Sequence, residues 1–278
     1  MSFRISSEKN RFWELDTLRG FLMLGTLSIN LLMTAEAFVI RGYYHVEAAK
    51  LLSVIDPLGV RFYIDENGIT KTVKITKDVI TYITYLGVDT YFVISGICCC
   101  FSRNNLKRAL RLVAGGVLIA VVTKLYAILL NDPFQFNRFG ALMCYAACQL
   151  ITLYFFDKKS DKTVAIAAAV SFFIGYFLRY YGVPAMRFPV FYIFGVPQIG
   201  DMSSDYWPVF PMLGWFLSGV LIGRKMYSEK SPAQPGEKTA RLTKPLRWLG
   251  RNSGIVYIST KLLYTAIFLA VGYLFHLL

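Results

Sequence analysis

Long apolar runs constrain the fold of this chain more than any other feature of its sequence. Seven runs approach the roughly 20 residues that an α-helix needs to cross a bilayer. They lie at residues 18–40, 79–101, 109–130, 139–156, 163–181, 207–223 and 254–277. Of the 278 residues, 55% are hydrophobic, which leaves room for about seven spans and their loops. We therefore predict a single all-α polytopic membrane domain over residues 1–278.

The distribution of charge predicts how these spans are oriented. The chain carries 30 lysines and arginines against 17 acidic residues, for a net charge of +13. In a soluble protein that excess would suggest nucleic acid, but here most of the basic residues fall in every second connecting segment, beginning with the N-terminus. Cytoplasmic loops are enriched in lysine and arginine. We therefore expect a multi-pass cell-membrane protein with a cytoplasmic N-terminus, an extracytoplasmic C-terminus and no nucleic-acid partner.

Two loops carry signals of their own. In the first outer loop, residues 41–76, two β-prone runs flank the Asp-Glu-Asn-Gly sequence at 65–68. Because Asn-Gly between such runs is a strong hairpin signal, we predict a small extracytoplasmic β-hairpin there. The inner segment 225–244 combines two prolines and a glycine with polar residues. That composition is typical of a flexible cytoplasmic linker.

Polar side chains inside the apolar runs indicate where a reaction site can lie. A charged residue at the centre of a membrane helix costs about 2.5 to 3.5 kcal/mol on insertion scales, so it is retained with a partner or for a function. Asn30 lies ten residues past Gly20, which is about 15 Å deep in a core about 30 Å thick. Asp89 falls at the same level and Lys261 close to it, so the three can meet. Asp89 and Lys261 either form an ion pair that fixes helix register or take part in catalysis.

A second group of polar residues lies at the predicted cytoplasmic end. Glu14, Asp16 and Arg19 stand at the start of the first apolar run and form either a small network or an ordinary interfacial cap. The inner segment after the second run holds four basic residues at roughly helical spacing: Arg103, Lys107, Arg108 and Arg111. They can bind the phosphates of a cytosolic cofactor, although the positive-inside rule alone also explains them.

Other residues in the runs are interpreted as packing residues. Gln149 is a single polar group in an apolar run and is expected to join two helices, while Gly214, Gly219 and Gly223 allow close helix approach. The five cysteines all lie in apolar runs, without the spacing of a disulfide framework or a zinc site, so no metal is expected. The sequence has no Walker A loop and no nucleophile elbow.

Several motifs resemble those of membrane acyltransferases. Residues 85–96, Tyr-Leu-Gly-Val-Asp-Thr-Tyr-Phe-Val-Ile-Ser-Gly, resemble the Gly-Val-Asp-x-Phe-Phe-x-x-Ser-Gly motif of the acyltransferase 3 family. Residues 15–20 resemble the first-helix motif of the same superfamily. Over most of the chain outside the first outer loop, the sequence is similar to the short bacterial branch related to the catalytic domain of heparan-α-glucosaminide N-acetyltransferase. That likeness rests on residues 12–16, 101–108, 205–208, 213–214 and 249–253.

The resemblance implies a chemistry from which this chain departs at one point. In that family an acyl group from cytosolic acyl-CoA passes to an acceptor, often a sugar hydroxyl or amine, across the membrane, and a histidine within the helices usually carries it. This chain has Asn30, Met143 and Thr260 at the corresponding positions. Since these side chains do not take a proton near neutral pH, general-base catalysis needs another residue. Asp89 is the first candidate, and deprotonated Lys261, as base or nucleophile, is the second.

The sequence leaves two functions open. In the first, the protein is a divergent membrane acyltransferase that uses acyl-CoA, in the simplest case acetyl-CoA, to acylate a sugar or other envelope acceptor. Asn30 then donates a hydrogen bond to the developing oxyanion. The predicted cofactor-binding residues are Asp16, Arg19, Arg103, Lys107 and Arg108. In the second, the protein is an inactive relative that binds or transports a ligand or forms part of a complex. A homodimer is compatible with both.

Overall fold

The fold is described from a computed structural model. It describes residues 12–40, 62–64, 70–72, 74–102, 104–129, 137, 139–180, 189–196, 206–227 and 235–274. Over these residues the chain is helical apart from two strands of three residues each. The predicted all-α class is therefore confirmed. Arg103 lies outside the described residues.

Nine α-helices and two short strands follow one another along the described chain. They are α1 (Trp13–Ile40), β1 (Phe62–Ile64), β2 (Thr70–Thr72), α2 (Lys74–Cys99), α3 (Asn105–Leu129), α4 (Ala141–Ile151), α5 (Asp161–Tyr180), α6 (Pro189–Phe194), α7 (Val209–Met226), α8 (Glu237–Arg251) and α9 (Ser253–Leu274). A π-helical turn, Thr152–Phe156, continues α4.

Three of the described helices are long and apolar enough to cross a membrane. They are α3, residues 161–178 of α5, and α9. Two shorter apolar stretches, Leu86–Cys99 and Ala141–Phe156, lie in α2 and in α4 with its π-helical turn. A membrane protein is therefore supported, while seven crossings and the orientation of the termini stay predictions.

The two strands lie in the predicted first outer loop. β1 and β2 pair antiparallel, with Tyr63 opposite Lys71 at the centre of the register. The turn between them lies outside the described residues. The hairpin and its place outside the membrane therefore stay predictions.

The described chain forms two compact units. The first contains residues 12–20 and 89–254, and the second contains residues 21–88 and 255–274. In the first unit α5 packs along α7, and α3 packs along α4. Phe92, Phe216 and Leu217 are among its largest fully buried side chains. In the second unit, hydroxyl groups such as that of Thr34 bond to carbonyl oxygens of their own helix.

Glycines bring α2 and α7 into backbone contact. A Cβ on Gly96 would collide with the carbonyl oxygen of Phe216, and one on Gly219 with that of Val93. Gly223 continues this contact surface against Ile97. The predicted close approach at Gly219 and Gly223 is thus confirmed, because only a residue without a Cβ permits it.

Gln149 joins two helices as predicted. Its Nε2 donates to both the backbone oxygen and the Oδ1 of Asn105, each at 3.1 Å. Gln149 is buried on α4 and Asn105 begins α3. A buried amide needs such partners, so the bond fixes where α3 starts relative to α4.

The predicted linker at 225–244 is too long. Residues 237–244 form the first half of α8 rather than a flexible segment. Glu237 places a negative charge in the first turn, where it interacts favourably with the helix dipole. It also pairs with Arg241 one turn on, at 2.7 Å. The proline and glycine that suggested a linker, Pro235 and Gly236, immediately precede the helix and mark its start.

Alanine substitutions at two glycines of α2 test the contact with α7. We expect Gly96→Ala to lower the free energy of unfolding by about 1–3 kcal/mol, because the new Cβ must push the backbone of α7 away. Gly87→Ala is the matched control, since a Cβ at that position would meet no atom within 4 Å. It should leave stability unchanged or raise it by up to about 1 kcal/mol through helix propensity. Thermal unfolding in detergent micelles compares the two, and equal melting temperatures would contradict the contact.

Candidate functional site

The candidate site is built where the first turns of α1 meet α8. Gly20 packs against the backbone of Leu246, and a Cβ at this position would collide with the Leu246 carbonyl group. One turn away in each helix, Gly250 faces the carbonyl oxygen of Asp16 in the same way. Only glycine lets two helix backbones come this close. These two glycines therefore fix α8 against the turns of α1 that carry Asp16 and Arg19.

An ion pair joins the same two helices. Arg251 Nε donates to Asp16 Oδ2 at 2.9 Å. The Asp16 side chain is only 11% exposed, whereas that of Arg251 is 44% exposed. Arg251 of α8 therefore compensates the charge of the Asp16 carboxylate. The predicted group of Glu14, Asp16 and Arg19 did not include this arginine.

Two arginines form the electrostatic centre of the site. Arg19 of α1 and Arg108 of α3 are each half-buried, and they are close enough to repel one another. Within the described part of the chain neither forms an ion pair, and the buried Nε of Arg19 has no hydrogen-bond partner there. Asp16 attracts Arg19 electrostatically, but its hydrogen bond goes to Arg251. Because a counter-ion relieves the repulsion between two neighbouring like charges, the pair is suited to an anion.

Side chains from α2 and α4 lie beside the two arginines. Tyr91 and Cys98 lie near both Arg19 and Arg108. They are seven residues apart, about two turns, and so share one face of α2. The Tyr91 ring meets that of Tyr145 on α4 edge-on, with centroids 5.5 Å apart. The arginines thus border hydroxyl and thiol groups that can donate hydrogen bonds to a bound anion.

Three aromatic rings pack together just before the start of α1. Phe12 packs against Phe101 and Tyr227, with ring centroids 5.2 Å and 4.8 Å away. Burial, and next the Glu14 carboxylate, raise the pKa of the Tyr227 hydroxyl above its ordinary value. That hydroxyl therefore stays protonated at neutral pH. Glu14 itself has one buried carboxylate oxygen, Oε2, without a hydrogen-bond partner among the described residues.

The residues of the predicted basic segment differ in burial. Arg108 turns toward Arg19, whereas Lys107 and Arg111 on the same helix are exposed. A role for Lys107 and for Arg103 in cofactor binding stays a prediction. The part of the chain that the structure describes holds no group of three or more histidine, cysteine or acidic residues that could bind a metal ion.

The predicted catalytic residues are divided between the two units. Asp89 is half-buried on α2 in the first unit. Asn30 is buried on α1, and Lys261 is half-buried on α9, both in the second unit. The Asn30 amide nitrogen is buried without a hydrogen-bond partner in the described chain. The meeting of Asp89, Asn30 and Lys261 stays a prediction.

The other two positions where the family has histidine are used for packing. The Met143 side chain fills the space beside Gly116 of α3, where a Cβ would come within 2.6 Å of Met143 Cγ. The Thr260 hydroxyl donates to the carbonyl oxygen of Val256 in its own helix at 2.7 Å. Neither group is arranged to carry an acyl group or a proton.

Sequence reasoning missed the roles of Arg251, Tyr91 and Cys98. Arg251 belongs to the Leu-Gly-Arg-Asn-Ser motif at 249–253. The motif therefore drew attention to Arg251 but did not indicate that Asp16 is its partner. Tyr91 and Cys98 have the spacing of one helix face, but the position of the arginines opposite that face comes from tertiary packing.

A double-mutant cycle tests the bond between α1 and α8. We expect Asp16→Asn and Arg251→Gln to show a coupling energy of about 1 kcal/mol, the upper end for a partly exposed pair, because Asp16 is mostly buried. The exposed pair Glu237 and Arg241, with both side chains 81% exposed, is the control and should give about 0.3–0.5 kcal/mol. Denaturant titration in mixed micelles measures both cycles. A coupling at the Asp16 pair no larger than that of the control would show that the glycine contact alone holds α8.

Comparison with known proteins gives one match. The family profile described as "Heparan-alpha-glucosaminide N-acetyltransferase, catalytic" matches residues 11–262. That range contains every predicted site residue. No curated protein and no solved structure matches the chain.

Proposed function

Because the chain belongs to the heparan-α-glucosaminide N-acetyltransferase catalytic family, we propose that it is a membrane acyltransferase that moves an acetyl group from acetyl-CoA to a sugar or other envelope acceptor. Family membership supports acetyl-CoA as the donor. Within the chain, the observation that supports the proposal is the Arg19 and Arg108 pair, two like charges near each other that form no ion pair among the described residues.

The phosphates of acetyl-CoA fit the chemistry of this pair. Coenzyme A carries a diphosphate and a ribose phosphate, and guanidinium groups bind phosphate oxygens through parallel charge-assisted hydrogen bonds. Arg19 and Arg108 would bind these groups, with Tyr91 beside them. Asp16 would act through Arg251 by holding the first turns of α1 in place, while Arg103 and Lys107 would extend the basic surface.

The acyl-transfer step needs a base, an oxyanion donor and a protonated leaving group. We assign Asp89 as the base that takes the proton of the acceptor hydroxyl or amine as its oxygen or nitrogen attacks the thioester carbonyl. The Asn30 amide would donate to the oxyanion that forms. The C–S bond then breaks, and the proton passes to the CoA sulfur. Lys261 would compensate the charge of Asp89 or, when deprotonated, replace it as base.

The number of membrane crossings and the orientation of the termini are part of the same proposal. Donor and acceptor are delivered from opposite sides if the protein crosses the membrane about seven times, with a cytoplasmic N-terminus and an extracytoplasmic C-terminus. The paired strands β1 and β2 would then cover the acceptor side as a small hairpin. Alternating basic loops support this arrangement. A homodimer remains compatible with it.

A second function is favoured by one specific observation. Met143 and Thr260, at two positions where the family has histidine, are occupied with packing and with an intrahelical bond. An inactive relative that keeps the anion site would bind the same phosphate groups without transferring an acyl group. Ligand binding without turnover separates this function from the first.

Neutralising one arginine tests the anion site. We expect Arg108→Gln to weaken binding of labelled acetyl-CoA by roughly tenfold or more, the loss typical of a charge-assisted hydrogen bond. Lys107→Gln removes the same charge from the neighbouring exposed position and should change the affinity much less. Equilibrium binding to purified protein in nanodiscs measures both. If Lys107→Gln weakens binding as much as Arg108→Gln, the phosphates bind on the exposed face of α3.

Removing the proposed base tests catalysis separately. Asp89→Asn keeps the size of the side chain but cannot take the proton, so we expect transfer to glucosamine, used as the test acceptor, to fall by about 10²–10⁴-fold. Acetyl-CoA binding should be unchanged. Asp89→Glu should retain part of the rate. Full transfer by Asp89→Asn would eliminate Asp89 as the base, and binding without transfer by the wild-type protein would favour the inactive relative.

A further inference from the structure

Helix α8 has two faces of different character. One face, which includes Leu246 and Gly250, packs on α1. Trp248, 61% exposed, lies on the opposite face, whereas Leu242 lies one turn before Leu246 on the same side of the helix and is nevertheless 71% exposed. Lys238 and Lys244 stand beside these apolar side chains on the exposed surface. A large indole and a leucine are thus exposed directly among cations.

The exposed face of α8 differs from the exposed faces of the apolar helices. On α3, a candidate membrane span, most exposed side chains beyond its first two turns are apolar, among them Val117, Val121 and Leu125, and Lys124 is the one exposed cation there. On α8, cations are interleaved with the apolar residues. Side chains of this mixture sit at the boundary of acyl chains and headgroups, where the apolar parts enter the bilayer and lysines reach the phosphates.

The position of α8 in the chain places it at that boundary. Only Asn252 separates Arg251, the last residue of α8, from Ser253, the first residue of the candidate span α9. The backbone N–H of Asn252 still bonds to the carbonyl oxygen of Trp248 at 3.1 Å. Trp248 is therefore close to the end of a membrane-crossing segment, the depth at which tryptophan is enriched.

Two lysines on the exposed surface of α8 favour contact with anionic lipid. Arg251 pairs with Asp16, and Arg241 pairs with Glu237. Lys238 and Lys244 form no ion pair with the described residues. We propose that the exposed surface of α8, where Trp248 stands beside Lys244 and Leu242 beside Lys238, lies on a leaflet containing anionic phospholipid and binds its headgroups. This proposal does not depend on the acetyltransferase activity.

Fluorescence quenching of Trp248 tests the contact with lipid. The full-length protein is placed in phosphatidylcholine nanodiscs that contain a minor fraction of brominated phosphatidylglycerol or, in parallel, the same fraction of brominated phosphatidylcholine. The Trp248 signal is the difference between wild type and Trp248→Phe, an exposed position at which the change does not disturb the core. We expect brominated phosphatidylglycerol to quench this signal roughly fivefold or more strongly than brominated phosphatidylcholine, because each lysine near the surface attracts anionic lipid.

Charge variants separate lipid contact from lipid selectivity. Lys238→Gln combined with Lys244→Gln should make the two brominated lipids equally effective while Trp248 remains quenched. Lys158→Gln combined with Lys162→Gln removes the same charge from another exposed segment and should leave the preference intact. Equal quenching in the wild type would overturn the anionic selectivity. A Trp248 signal that neither lipid quenches would overturn the proposal, because Trp248 would then lie in water or against protein and not against lipid.

Discussion

The arrangement of the candidate site depends on one steric constraint, the contact of helix backbones at Gly20 and Gly250. Each glycine faces a carbonyl group of the opposite helix, so even one methyl group would separate α1 from α8. The Asp16–Arg251 bond forms only once the helices are this close. Since a partly exposed ion pair contributes about 1 kcal/mol at most, whereas overpacking costs about 1–3 kcal/mol, the glycines are the stronger determinant and the ion pair sets the register within their contact.

The same contact determines where Arg19 lies. Arg19 occupies the position before Gly20, and its helix cannot rotate freely while α8 is packed against it. Arg19 and Arg108 are therefore held within repulsive range of each other instead of separating into solvent. A fold that holds two guanidinium groups together among hydroxyl and thiol neighbours loses stability, and a bound polyanion recovers it. This is the physical reason for proposing that the pair binds phosphate, in addition to any part it has in the positive-inside signal.

The sequence predicted features whose cause is local and left open those that depend on tertiary packing. Apolar length and periodicity predicted the helices, and an isolated amide in an apolar run was enough to predict that Gln149 joins two of them. The linker prediction extended too far because proline and glycine were given more weight than the helix-starting charge of Glu237. Spacing alone could not show that Arg108, and not its neighbour Lys107, turns inward, since that depends on which face of α3 packs. That Asp89, Asn30 and Lys261 lie together stays a prediction, because it rests only on their similar predicted depth in the membrane.

Helix α8 connects the membrane surface with the candidate site. It contacts α1 through Gly250 and Arg251, and it exposes Trp248 and lysines that we propose contact lipid. Because the helix is only 15 residues long, a shift of one face moves the other by a similar distance. Under the lipid proposal, a headgroup bound at Lys244 would act on the position of Arg251, and through its bond with Asp16 on the turn that carries Arg19. If the protein is the acetyltransferase proposed above, such a connection would place Arg19 and Arg108 near the surface from which a charged, soluble donor arrives.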